Sequence, residues 1–205
     1  MFRGDQIVDT PRGPARVDLD PPDIGSPVGL LVLGHGAGGG VDAPDLIALR
    51  DQAVASGVAV ARVTQPYRVA GRRAPAPAGQ LDECWSAVVT TLTEQLPEVP
   101  LVVGGRSSGA RVACRGAVAL GAAGIVALAF PLHPPGRPER SRAAELSTGV
   151  PTLVLNGDRD PFGVPSAGAG VEVVLRPGEG HDLRKDPVGT ASLALAWLRG
   201  RGWAR

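Results

Sequence analysis

The stretch LVVGGRSSGA, residues 101–110, decides the fold prediction for this 205-residue chain. An apolar run predicts a strand, and a G-x-S-x-G motif centred on Ser107 leads from it into a helical segment. Such a strand-to-helix turn is sharp and strained, so the residues two before and two after the serine must be small. Ser107 has glycine at both positions, whereas Ser108 would have Arg106 at the earlier one. We interpret Ser107 as a nucleophile; a glycine-rich turn without chemistry is the alternative.

Apolar runs and helical segments alternate along the rest of the chain. The runs that predict buried strands are 28–33, 58–63, 101–103, 125–130, 152–155 and 171–175. The first predicted helix is capped by Asp42 and ends at Gly57. Further helices are predicted at 80–96, 107–120 and 187–198. Residues 15–19 alternate weakly and predict an edge strand. The pattern is typical of an α/β protein with a mostly parallel sheet flanked by helices.

The length fits one domain. We expect residues 1–13 to form a loose lead-in and residues 14–205 to form a single domain. Only about twenty residues with few apolar anchors separate the strands predicted at 125–130 and 152–155. The sequence therefore predicts no substantial cap domain.

Composition restricts the partners. The net charge of +1 gives no reason to expect nucleic acid or an anionic membrane. The apolar runs are shorter than the roughly 20 residues that span a bilayer, and no long apolar segment follows the N-terminus. Cys84 and Cys114 are too few for a disulfide framework and lack metal-ligand spacing. We expect a cytoplasmic protein without a metal, and its oligomeric state is not predicted.

A serine nucleophile needs a base, and the chain has three histidines. In the chain order of serine, acid and histidine, only His181, after the last predicted strand, has the place of the base. His35 precedes the nucleophile in a glycine-rich loop. His133 follows the strand after it, and either lines a pocket or holds a proline-rich loop by a hydrogen bond.

The acid that orients the base is expected in the loop NGDRDPF, residues 156–162. Asp160 lies deeper in this loop and is preferred. Asp158 remains the alternative, although the Asn-Gly-Asp turn signature already gives it a structural role. Glu179 and Asp182, beside the histidine, are further rivals.

The loop LGHGAGGG, residues 33–40, has two interpretations. In the first, the N–H groups of Ala37 and Ser108 hold the oxyanion of an acyl-transfer reaction. In the second, its G-x-G-x-x-G binds a dinucleotide, which also calls for an acid about 20 residues on, at the end of the next strand. That strand ends without Asp or Glu, although Arg62 or Arg68 can serve a 2′-phosphate. The first interpretation is favoured.

Five segments together resemble the KANL/Tex-like type of α/β-hydrolase, a small, lidless branch related to the dienelactone hydrolases. They are HGAGG at 35–39, QPY at 65–67, GGRSSGAR at 104–111, FPLHPPGRP at 130–138 and NGDRDPFG at 156–163. The resemblance runs from about Thr10 to the C-terminus, and PLHPPG is its most specific part.

The resemblance implies the α/β-hydrolase fold, with Ser107 as nucleophile, Asp160 as acid and His181 as base. It supplies no substrate. Some eukaryotic members look like subunits of chromatin-associated assemblies. The dienelactone hydrolases have Cys where this chain has Ser, so their lactone substrates are not carried over.

The function predicted first is a serine hydrolase that cleaves a small carboxylic ester or thioester through an acyl-enzyme, with no cofactor. A catalytically idle hydrolase fold used as a binding or scaffold module is the alternative, and a nucleotide-dependent oxidoreductase is a third. The side chains expected near the pocket are His35, Tyr67, Arg106 and His133. The loop between the strand predicted at 58–63 and the helix predicted at 80–96 carries Arg68, Arg72 and Arg73. These arginines either rim the pocket or are solvated, and we favour the solvated interpretation.

Overall fold

An eight-stranded sheet runs through the centre of the protein in a computed structural model that describes residues 4–205. In chain order the strands are β1 (Gly4–Val8), β2 (Ala15–Asp20), β3 (Gly29–Gly34), β4 (Val58–Thr64), β5 (Leu101–Arg106), β6 (Gly124–Leu128), β7 (Thr152–Gly157) and β8 (Val171–Arg176). Across the sheet they follow the order β1-β2-β4-β3-β5-β6-β7-β8. The six strands from β4 to β8 in that order are parallel, and β2 pairs antiparallel with both β4 and β1. The predicted mostly parallel sheet is confirmed.

Helices cover both faces of the sheet. They are α1 (Pro44–Ala55), α2 (Pro66–Val69), α3 (Ala78–Gln95), α4 (Ser108–Gly116) and α5 (Pro187–Arg199). The pair α1 and α5 packs on one face, and the pair α3 and α4 on the other. Within residues 4–205, none of the helices combines the length with the apolar character that a membrane crossing requires.

The central strands are apolar throughout because both of their faces are buried. In β3, Leu30 and Val32 point into the core beneath α3 and α4, while Leu31 and Leu33 point into the core beneath α1 and α5. All four side chains are almost completely buried. The absence of polar alternation in this run is thus a direct consequence of the three-layer arrangement.

The expectation of a loose lead-in over residues 1–13 is wrong where the structure describes it. Gly4–Val8 is strand β1, which pairs antiparallel with β2. Strand β2 therefore lies between β1 and β4 rather than at an edge. Four of the five residues of β1 are not buried, so it shows little of the hydrophobic pattern that reveals a strand. The first three residues of the lead-in lie outside the described part.

Two helix predictions also change in detail. Helix α1 begins at Pro44 with Ala43 as its cap residue, and the Asp42 side chain makes no cap hydrogen bond. The helix expected over 107–120 ends at Gly116, and turns lead from there to the next strand. Glycine lowers helix propensity by about 1 kcal/mol, which favours this earlier end.

The segment between β6 and β7 forms no cap domain, as predicted. Its one regular element is a short 3₁₀ turn, Ala143–Leu146. Glu145 in this turn accepts two hydrogen bonds from Arg111 of α4, at 2.6 and 2.8 Å. The segment is thereby held against α4.

Candidate active site

Ser107 occupies the sharp turn between β5 and α4. Its backbone has φ 52° and ψ −111°, a region that residues other than glycine rarely adopt. Its N–H donates to the carbonyl of Leu128 on β6 at 2.9 Å, and its carbonyl accepts from the N–H of Arg111 at 3.2 Å. The turn is therefore fixed by the neighbouring strand on one side and by its own helix on the other.

The glycines on either side of Ser107 are required by the end of β3. A Cβ atom on Gly105 or on Gly109 would collide with the carbonyl oxygen of Gly34. Gly105 also has φ +150°, a conformation that favours glycine. The sequence argument for small residues at these two positions thus has a specific steric cause in the structure.

His181 lies in the loop between β8 and α5, within reach of Ser107. Its Nε2 is 2.9 Å from the Ser107 Oγ, and its Nδ1 is 2.8 Å from Oδ2 of Asp160. A carboxylate accepts only, so Nδ1 carries the proton and donates to Asp160. Nε2 is then the acceptor for the Ser107 hydroxyl, which is the arrangement that lets a histidine act as base.

Asp160 is held by hydrogen bonds in a buried position. Its side chain is 0% exposed. Besides the His181 ring, Oδ1 accepts from the backbone N–H of Phe162 at 2.8 Å, and Oδ2 accepts from the Asn156 side-chain amide at 3.4 Å. A buried carboxylate needs such donors, and together they fix its direction toward His181.

The other acids considered for this position point elsewhere. Asp158 is exposed and accepts from a backbone N–H in the turn after β8 at 2.8 Å. Glu179 is buried and accepts from two backbone N–H groups at the start of α5, at 2.8 and 3.3 Å. Asp182 pairs with a surface arginine at 2.7 Å. Of the four acids, Asp160 is the one whose carboxylate contacts His181.

The glycine-rich loop after β3 lies beside Ser107. A Cβ atom on Gly36 would stand 3.7 Å from the Ser107 Cβ. Within residues 4–205, neither the backbone N–H of Ala37 nor that of Ser108 donates a hydrogen bond to a backbone carbonyl. Ser108 is also the first residue of α4, where the helix dipole favours negative charge. Both N–H groups are thus available to an anionic oxygen.

His35 and Tyr67 hold this loop from behind. The His35 Nδ1–H donates to the Gly36 carbonyl at 2.8 Å, and Nε2 accepts from the N–H of Gln65 at 3.1 Å. The Tyr67 hydroxyl donates to the Ala37 carbonyl at 2.8 Å. Both rings are 3% exposed, and burial lowers the pKa of His35. They were expected near the pocket; both support the loop from behind, and with Ser108 they also line a small cavity.

His133 holds the proline-rich loop, one of its two predicted roles. Its Nδ1–H donates to the Pro134 carbonyl at 2.8 Å. Its backbone N–H donates to the carbonyl of Phe162 at 2.9 Å, and its ring packs so closely on Gly163 that a Cβ there would collide with it. The proline-rich loop is thereby attached to the loop that carries Asp160.

The sequence did not reveal one aromatic contact and one arginine contact at the site. The Phe162 ring stacks on the His181 ring with centroids 4.1 Å apart and planes at 30°. Its only sequence signal is its position two residues after Asp160. Arg106, expected near the pocket, donates from Nη2 to the backbone carbonyl of His181 at 3.1 Å.

The loop arginines differ in their surroundings. Arg72 and Arg73 are exposed, as the solvated interpretation expects. Arg68 lines a cavity of about 500 Å³ beside the glycine loop. The charge of this cavity is mixed, since it is also lined by Arg16, Arg62, Asp18 and Asp42.

Comparisons with known proteins agree with this fold. The model of a family described as alpha/beta hydrolase domain matches residues 27–176. XC6422 of Xanthomonas campestris, described as an a/b serine hydrolase without lid, is 21% identical with a TM-score of 0.79, covering 97% of this chain and 94% of that one. An alpha-beta serine hydrolase homologue from Coxiella burnetii is 18% identical with a TM-score of 0.80, covering 97% and 98%. Est1E of Butyrivibrio proteoclasticus is 16% identical with a TM-score of 0.79, covering 97% and 98%. No curated protein sequence matches the chain.

Proposed function

Because the chain belongs to the alpha/beta hydrolase domain family, we propose that it is a serine hydrolase that cleaves a small carboxylic ester or thioester. The observation that carries the proposal is the continuous series of contacts from Ser107 Oγ through the His181 ring to Asp160, at 2.9 and 2.8 Å. A binding module has no physical need for all three groups in this relation, whereas nucleophilic catalysis depends on it.

In the acylation half, the Ser107 Oγ attacks the substrate carbonyl carbon as its proton passes to Nε2 of His181. The carbonyl π electrons move to oxygen, and a tetrahedral intermediate forms. When it collapses, the bond from carbon to the leaving oxygen or sulfur breaks. Nε2 returns its proton to that atom, so an alcohol or a thiol leaves and an acyl-enzyme remains on Ser107.

In the deacylation half, water takes the place of the alcohol. His181 accepts a proton from water as its oxygen attacks the acyl carbon, and then returns a proton to Oγ as the ester bond to Ser107 breaks. The carboxylic acid leaves. Asp160 orients the imidazole and stabilises its positive charge in both halves, without taking the proton itself.

The N–H groups of Ala37 and Ser108 are proposed to receive the oxyanion. Where single donors of this kind have been removed in other enzymes, the loss is about 3–4 kcal/mol of transition-state stabilisation. Tyr67 and His35 fix the loop that carries the first donor, and the elbow fixes the second. The donors are therefore preorganised rather than assembled by the substrate.

The substrate proposed is an ester small enough, or exposed enough, for an open site. The segment between β6 and β7 lies against α4 and forms no cap domain over the site. The assignment to the KANL/Tex-like branch is part of the proposal and rests on the five sequence segments, of which the proline-rich loop is the most specific. Strong acyl-chain selectivity is not expected from such a site.

The test is intact-mass analysis after exposure to a fluorophosphonate probe. We expect one adduct on the wild type, none on Ser107→Ala, and one on the control Ser192→Ala, which alters an exposed serine of α5. Turnover of short p-nitrophenyl esters should follow the same pattern. A folded wild type that forms no adduct and hydrolyses no ester would overturn the proposal and favour a binding module, to be pursued by partner capture.

A further inference from the structure

Arg106 connects three parts of the candidate site. It directly precedes Ser107, and its Nη2 donates to the backbone carbonyl of His181 at 3.1 Å. Its Nε lies 3.0 Å from Oδ2 of Asp45. Its Nη1 is 3.4 Å from the position that a Cβ on Gly36 would take. One guanidinium thus contacts the histidine loop, the first turn of α1 and the glycine loop.

Asp45 holds this guanidinium in place. Its side chain is 0% exposed, and its Oδ1 accepts from the backbone N–H of Leu46 at 3.0 Å. Burial raises the pKa of Asp45, and the charge of Arg106 opposes that rise. A buried carboxylate is costly without a cation beside it. The Arg106 side chain is itself only 16% exposed, so the pair has little freedom to separate.

We propose that Arg106, held by Asp45, is a positioning residue that fixes the backbone of His181 so that the imidazole bridges Ser107 and Asp160. The inference rests on the proposed function, because it assigns a role within the same site. Nothing in the reaction needs Arg106 to contact the substrate.

The histidine loop needs this support because it has no regular structure. Glu179 holds the far end of the loop by accepting from the backbone N–H groups of Lys185 and Asp186. Leu183 anchors its middle, fully buried and with φ 46°. At His181 itself, Arg106 supplies the hydrogen bond to the backbone. Displacements of about 1 Å at a reacting group can cost about 10²-fold in rate.

Lysine cannot replace arginine in this role. The planar guanidinium forms an ion pair with Asp45 through Nε while Nη2 donates to the His181 carbonyl, so one rigid group serves both contacts. An ammonium group on a flexible stem presents one point charge. Arg106→Lys therefore keeps the charge beside Asp45 while losing the fixed bridge.

The experiment compares Arg106→Lys and Asp45→Asn with the wild type and with the control Arg50→Lys. Arg50 is also a partly buried arginine in ion pairs, with Asp20 and Asp51. The readouts are the rate of fluorophosphonate labelling, kcat and KM separately for a short ester, and the downfield proton resonance of the His181 Nδ1–H. The resonance is assigned by its absence in His181→Asn.

We expect Arg106→Lys to lower the labelling rate and kcat by roughly 10- to 100-fold with little change in KM, and to shift or broaden the resonance. Asp45→Asn should act in the same direction, and the double variant should be no worse than the more severe single one, because the two residues act as a unit. Arg50→Lys should match the wild type. Wild-type rates and a wild-type resonance in folded Arg106→Lys would overturn the inference.

The experiment distinguishes failure of the Arg106 inference from failure of the proposed function. If Arg106→Lys does not fold, Asp45→Asn, which preserves the side-chain shape, decides by the same readouts. If the wild type shows neither labelling nor ester hydrolysis, the proposed function fails. The resonance comparison still decides in that case whether Arg106 positions His181.

Discussion

Ser107 holds a backbone conformation that only its surroundings can enforce. A residue in so sparsely populated a region costs about 1–3 kcal/mol. Hydrogen bonds to the carbonyl of Leu128 and from the N–H of Arg111 fix the turn, and close contact of Gly105 and Gly109 with β3 leaves it no room to relax. The strain projects the hydroxyl at the end of β5, where His181 reaches it.

The packing of Gly109 predicts a large effect from one added methyl group. Gly109→Ala should lower the free energy of unfolding by about 1–3 kcal/mol, because its Cβ would collide with the Gly34 carbonyl. Gly79→Ala in α3, where nothing lies within 4 Å of the added Cβ, should be neutral or stabilising. Urea unfolding of both variants measures the difference. Equal stability of the two would contradict the packing argument.

The two aspartates after β7 should differ sharply in their effect on catalysis. Asp160→Asn should lower kcat by about 10³- to 10⁴-fold, as loss of the corresponding carboxylate does in a serine protease, because the imidazole loses the partner that fixes its tautomer. Asp158→Asn should change kcat less than about tenfold, since Asp158 accepts only from a turn N–H. Steady-state kinetics of the pair measures this. A larger loss from Asp158→Asn would assign the acid to that residue instead.

At the scale of elements, the site is assembled from loops that follow parallel strands. The loops after β3, β5, β7 and β8 leave the same edge of the sheet, as the carboxyl ends of parallel strands must. Side-chain hydrogen bonds then fix the conformation of these loops. The glycine-rich loop is held by His35, within the loop itself, and by Tyr67 of α2. The conformation of the loop is therefore tied to the protonation of His35.

The pH dependence of stability should carry a contribution from His35. Burial lowers its pKa below the ordinary value of about 6.5, and protonation of Nε2 would end the bond from the Gln65 N–H. The folded state thus binds the proton more weakly than the unfolded chain, so the free energy of unfolding is highest above about pH 6.5 and falls as the pH drops below it.

In His35→Gln this contribution is absent, so we expect a shallower fall between pH 7.5 and pH 5.5. The size is about 1.4 kcal/mol for each unit by which the two pKa values differ. Urea unfolding of both proteins across this range is the measurement. Parallel curves would show that His35 does not titrate differently in the two states.

At the scale of the whole molecule, the carboxyl ends of the parallel strands carry the candidate site, whereas their amino ends contribute to stability. At their amino ends, the backbone and ring of Trp203 pack directly on Gly29 and Gly124, the first residues of β3 and β6. Its ring also meets that of Trp197 of α5 edge-on, with centroids 5.5 Å apart. Trp203 thus packs against the core at the amino ends of the strands, on the side opposite to Ser107.

This division predicts that stability and catalysis separate in Trp203→Ala. The variant should lose about 2 kcal/mol of unfolding free energy, less than the ~3–5 kcal/mol of a fully buried aromatic, because Trp203 is partly exposed. Its kcat at 25 °C should equal that of the wild type. A lower kcat with unchanged thermal stability would contradict the separation.

The parallel α/β architecture can be predicted from the amino-acid sequence alone, because strands buried on both faces leave long apolar runs and helices between them keep their own period. The sequence also singled out Ser107 and His181, since the sharp turn admits only small neighbours and chain order restricts the base, and it narrowed the acid to a few candidates of which Asp160 was preferred. Strand β1 escaped prediction because its pairing is made by backbone groups and its side chains are mostly exposed.

Which side chains contact each other became clear from the folded structure. It separated Asp160 from Asp158, Glu179 and Asp182, because a direction toward His181 is not encoded by spacing along the chain. It showed that His35 is buried and supports the glycine loop by hydrogen bonds. It also showed that Arg106 contacts Asp45, more than 60 positions earlier in the chain, and the carbonyl of His181, 75 positions later. Such contacts arise when the sheet brings distant loops to one edge, which is a property of the folded chain and not of any local segment.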